Sequence, residues 1–179
     1  TLSVSFATLA SNTAIQSGGA VFVDSNATLR VITSTLSDNA AGEWGGAVAN
    51  RGTNFFSYAT IAGNTAGTSG GGVYNEPGSA PATLEATIIA GNTDGLSGPS
   101  DISGTPPVNP ASSYNLIGAG GSGGLIDGVD SSLVGVVDPG LAPLADYGGR
   151  TPTRALLPWS PAVNRSLLTS SSSDQRSYF

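Results

Sequence analysis

The sequence predicts an all-β fold, a parallel β-solenoid with an irregular C-terminal cap, on three observations. The first is composition: 26 glycines, abundant Ser, Thr, Ala and Asn, and only 10% charged residues describe turns and small side chains rather than helix formers. The second is a register of asparagines, Asn12, Asn39, Asn64 and Asn92, spaced by 27, 25 and 28 residues. Each is followed six positions later by a glycine, Gly18, Gly45, Gly70 and Gly98, in the same three spacings. The third is that apolar positions keep that register while a sustained 3.6-residue period is missing.

Taken in chain order, each unit begins with a strand-length apolar position, Val4, Val31, Phe56 or Leu84. Five residues on comes Leu9, Leu36, Ile61 or Ile89, and then the asparagine. After the glycine pair come Val21, Val48 and Val73; by counting, Asp101 occupies that column in the fourth unit. A unit of about 25 to 28 residues made of short strands cannot bury its own apolar face, so it stacks on its neighbour, like on like, at about 4.8 Å. The asparagines then form a corner ladder of side-chain amides. The glycines supply turns where a Cβ would clash. Trp44 shares its column with Ser17, Ser69 and Ser97, which predicts an aromatic exposed at a corner, suited to a sugar ring or a neighbouring molecule. A lid over Ala41 and Ala47 is the alternative.

The expected division is residues 1–104 as solenoid coils and 105–179 as irregular last coils and cap, packed as one continuous domain. Within the second part, Ser132 to Val137 reads as another strand and Ala155-Leu156-Leu157 as an apolar plug. Gly118 to Gly124 reads as a long turn, because it lacks the lysine and helix of a phosphate loop. The cap is expected to cover the end of the core.

Composition also narrows the chemistry. The chain has no His, Cys or Met, and its six basic residues are all Arg, so a Ser-His-Asp triad, a thiolate nucleophile and a disulfide framework are excluded. A net charge of -6 argues against nucleic acid, and no run approaches a membrane span. Arg30 has no acid in its column; Asp24, Arg51 and Glu76 share one, which reads as a surface ion-pair ladder rather than a hydrolase pair. Asp127-Gly128-Val129-Asp130 and Asp138 read as turn residues rather than calcium ligands. No catalytic residue, cofactor site or metal site is assigned.

The units STLSDNAA (34 to 41) and ATIAGNTA (59 to 66), followed by GGAVAN (45 to 50) and GGGVYN (70 to 75), resemble the repeats of bacterial right-handed parallel β-helix surface proteins and polymorphic outer-membrane proteins. Farther on, NLIG (115 to 118), DPGLAPLADYGGRTPTRALLPWSPAVN (138 to 164) and DQR (174 to 176) resemble the choice-of-anchor Q domain. Arg154 stands where that pattern has His, Asn164 where it has Asp and Ser177 where it has Gly. The resemblance implies right-handed coiling and an extracellular or cell-surface bacterial location. It implies no enzymatic activity.

The functional expectation is therefore a non-catalytic structural protein. Thr1-Leu2-Ser3-Val4 already reads as the first strand of a coil with no polar cap before it, which predicts self-association, head to tail, into a filament or surface scaffold. A glycan-binding module or fragment of a larger adhesin is the alternative, and a polysaccharide lyase or hydrolase the second.

Overall fold

The computed structural model describes residues 1–96, 98–165 and 174–176; Ser97 and Ser177 lie outside the described residues. The fold is a parallel β-solenoid of about four turns with coils of about 27 residues and almost no helix, the exception among the described residues being a single 3-10 turn at Val129–Ser131.

Four short strands make one coil, and the coils stack into four walls. The first wall pairs Leu2–Ser5, Thr28–Ile32, Thr53–Ser57 and Thr83–Glu85 in parallel. The second and longest has six strands, Thr8–Ala10, Thr35–Ser37, Thr60–Ala62, Ile88–Ala90, Leu116–Gly118 and Leu133–Val136, all parallel. The third pairs Thr13–Ala14, Ala40–Ala41, Thr65–Ala66 and Thr93–Asp94, and the fourth pairs Val21–Val23, Val48–Asn50, Val73–Asn75 and Ile102–Gly104. Strands this short hold because each side chain meets its equivalent one coil away, so the alternation within a strand is reinforced by the repeat across coils.

The register of the walls is the register of the sequence. Val4, Val31, Phe56 and Leu84 are successive partners in the first wall, and Leu9, Leu36, Ile61, Ile89, Ile117 and Val134 in the second. Together with Val48 and Val73 from the fourth wall they fill the core, where Val31, Leu36, Phe56, Ile61 and Ile89 are fully buried. Gly45 shows why glycine is needed at the corner: its φ is 65°, and a Cβ there would collide with the Val48 carbonyl.

Two expectations change. Ile102, not Asp101, pairs with Val73 in the valine column. The connection after Asn92 is one residue longer than in the earlier coils, and Gly98–Pro99 uses the extra length to fold back antiparallel on Thr93–Asp94. Gly98 therefore stands outside the stack that Gly18, Gly45 and Gly70 form through their coil-to-coil hydrogen bonds. In the distal segment Val108 and Leu125 pack against the aliphatic core, and the rest of the segment leaves that end. After Leu133–Val136 the chain forms an antiparallel hairpin, Leu141–Ala145 with Thr153–Leu156, and returns along the outer flank of the second wall. Arg154 reaches the second coil there, bonding Ser37 Oγ at 2.7 Å and Asp38 Oδ1 at 2.6 Å. Gln175 reaches the first, donating to Ala7 O at 3.0 Å and Thr8 Oγ1 at 2.9 Å. Leu156, read as a plug, lines a cleft on this flank with Ile88 and Leu116.

Candidate functional site

The corner asparagines hydrogen-bond in one direction. In each step the backbone N–H and the side-chain Nδ2 of one asparagine both donate to the Oδ1 of the next: Asn12 to Asn39 at 3.0 and 2.9 Å, Asn39 to Asn64 at 2.9 and 2.9 Å, and Asn64 to Asn92 at 3.0 and 2.8 Å. Asn92 makes the same pair of bonds, 3.0 and 2.9 Å, to Asp101 Oδ1. Asp101 Oδ2 takes the Gly120 N–H at 2.9 Å. A run of aligned amide dipoles thus ends on a carboxylate, the group best able to accept from it. Burial pushes the Asp101 carboxyl above its ordinary value, against the opposing effect of the bonds from Asn92 and Gly120.

Two further ladders carry no comparably regular signal. At the corner between the first and second walls, backbone N–H groups donate to side-chain oxygens one coil on: Ala7 to Ser34, Thr87 to Asn115, and Asn115 to Ser132. The residue type changes at each step, so only a shared position, not a shared letter, marks the ladder. Asn50 donates to Asn75 at 3.1 Å; their separation of 25 residues, the same as that of Asn39 and Asn64, is the signal that reveals this pair.

Trp44 is half-buried, bridges to Ser69 in the next coil and stacks on Tyr74 with centroids 5.7 Å apart and planes 17° from parallel. Its indole face is used within the wall. The Arg51 guanidinium lies 5.0 Å from the centre of Phe22 and pairs with Glu76 at 2.5 Å, a bond that raises its affinity for the proton. Asp24 instead caps its own turn at Ser25 N. Arg30 sits over Phe55 at 4.3 Å. Among the described residues no group of three His, Cys, Asp or Glu side chains is placed to share a metal ion, and no helix is long and apolar enough to cross a membrane.

The two ends of the solenoid differ. In the first coil Leu2 is 51% exposed, although its partner Leu29 in the second coil is 1% exposed. Ile15 is 93% exposed and Phe6 49%. All four strands of this coil are edges of their sheets. At the far end the third wall is closed by the antiparallel Gly98–Pro99, the first and fourth walls continue as the single bridges Glu85 to Ser113 and Ile102 to Ser122, and the second wall continues as a strand, to Leu133–Val136. There the Asp127 carboxylate accepts the Val134 N–H at 2.9 Å and the Gly128 N–H donates to Ser132 O at 2.9 Å. Ile126 and Val137 are exposed beside that strand.

The chain matches no protein-family model, no curated protein and no solved structure.

Proposed function

We propose that the protein is a non-catalytic structural solenoid of the bacterial surface or extracellular space, which builds a scaffold by adding copies head to tail. The observation that carries this reading is the first coil. Among the described residues its four strands are each the outer strand of a sheet, and a strand edge is a template for another chain. The second wall supplies the direction: Thr8–Ala10 and Leu133–Val136 are the two edges of one all-parallel sheet, so a second copy placed end to end continues it in the same sense. The resemblance of the repeats to β-helix surface proteins and of residues 115–176 to the choice-of-anchor Q domain supports the location. The glycan-binding reading draws less support, because Trp44 stacks on Tyr74 and Phe22 on Arg51. The lyase or hydrolase reading draws least, since Arg51 and Glu76 neutralise one another.

Electron microscopy of the concentrated protein tests this. Six strands at 4.8 Å predict fibres with an axial repeat of roughly 29 Å. Dispersed particles at every concentration up to precipitation would sink the scaffold reading.

A further inference from the structure

The far edge of the second wall is less open than a bare strand. In a parallel sheet alternate residues turn their N–H and C=O to opposite neighbours. Leu133 N–H points inward and donates to Asn115 O at 2.7 Å. Val134 N–H therefore points away from the solenoid, toward any strand that would add there. That donor is occupied by Asp127 Oδ1, and Ser132 O, the acceptor two residues earlier that faces the same way, is occupied by Gly128 N–H. A turn of two residues thus satisfies two main-chain groups that an incoming strand would pair with.

From this geometry we infer that the Asp127–Gly128 turn is an edge guard, which holds the far end of the second wall closed against the first coil of a second copy. The inference rests on the head-to-tail reading and adds its regulation: growth requires the turn to leave Val134 and Ser132. At the other edge of that wall, among the described residues, the contact is a longer one, Asn12 Nδ2 donating to Ala10 O at 3.3 Å in the first coil. Its corner acceptor, Asn12 Oδ1, occupies the place in the ladder that receives two donors in every later coil, from Asn39 to Asn92. A head-to-tail assembly is polar, and each junction in it uses one latched edge. A side-chain carboxylate suits the latch because it competes directly with a main-chain carbonyl for the N–H, and because Asp127 is exposed, so it is free to swing into water when a strand arrives.

The experiment compares wild type, Asp127→Ala and Asp127→Asn, all as the full chain, by sedimentation and electron microscopy over a concentration series, with circular dichroism to verify the fold. Asparagine keeps an acceptor oxygen at the guard position and alanine does not. Amide hydrogen exchange at Val134 should be faster in Asp127→Ala, which establishes that the latch is open. Asp127→Ala should then form fibres at about a fivefold lower concentration than wild type, as expected for release of one main-chain group, and Asp127→Asn should stay near wild type. Equal assembly of wild type and Asp127→Ala overturns the guard and leaves the scaffold reading standing. Assembly of Asp127→Asn at the alanine concentration also overturns it, in favour of charge repulsion. Fibres from Asp127→Ala alone uphold the guard and sink the wild-type scaffold, and no fibres from any of the three sink both.

Discussion

Asp101 is the residue on which the corner ladder ends, and its burial has a thermodynamic sign. An acid whose folded-state pKa lies above the unfolded value of 3.8 binds its proton more tightly in the native state. Its protonated form therefore favours folding below 3.8, and that contribution is lost as pH rises from 3.8 through the raised native value. Asp101→Asn should remove this dependence while keeping an Oδ1 acceptor for Asn92, at the cost of the bond from Gly120. The difference in urea-unfolding free energy between wild type and Asp101→Asn, followed from pH 3 upward, should then move against wild type as pH rises; a flat difference would show that the bonds from Asn92 and Gly120 offset the desolvation. Asn54 offers a second test. It is fully buried opposite Leu29, and its Oδ1 and Nδ2 find no hydrogen-bond partner among the described residues. Replacing an orphaned amide by a side chain of similar volume removes a desolvation cost, so Asn54→Leu should raise stability by about 1–3 kcal/mol. A drop in the denaturation midpoint would mean that the amide is bonded after all.

At the scale of elements, the hairpin and the 174–176 segment act as a strap across the second wall. They cross the coils rather than follow them: Thr8 donates to Pro152 O at 2.5 Å, Thr35 Oγ1 donates to Gln175 at 2.7 Å, and Arg154 holds Asp38. In a solenoid each coil touches only its neighbours, so the terminal coil opens most readily. A strap bonded to the first and second coils at once raises the cost of that opening. The double variant Arg154→Ala/Gln175→Ala should therefore speed amide exchange about tenfold in residues 8–14, matching the loss of roughly 1.4 kcal/mol, and leave residues 60–66 unchanged. Uniform acceleration along the chain would indicate global destabilisation instead, and no change would show that the strap contributes nothing to the first coil.

For the whole molecule, the contrast between its ends dominates. Every wall starts at the first coil, whereas only the second wall reaches Leu133–Val136, where the Asp127–Gly128 turn occupies the outward main-chain groups. A head-to-tail stack is polar, and the direction of the amide ladder, donors toward the far end, gives every copy the same polarity. The scaffold proposal and the edge guard are therefore claims about polarity. They concern the stack rather than any one pocket, and the absence of His and Cys from the chain leaves backbone pairing and amide chemistry to carry them.

By itself the sequence determined the coil: the aliphatic columns, the direction of stacking and the four ladder asparagines could be read by counting, because parallel in-register strands place equivalent letters in contact. Tertiary structure alone decided what breaks that period. One extra residue after Asn92 moved Ile102 into the valine column and left Asp101 free to end the ladder, a shift that counting from Gly98 places one residue off. The path of the strap depends on bonds between residues more than 100 apart, such as Arg154 to Asp38, which leave no repeat to detect. Asp127 was legible as a turn residue, but its bond to Val134 follows from how the last strand presents its edge, and only the folded chain fixes that.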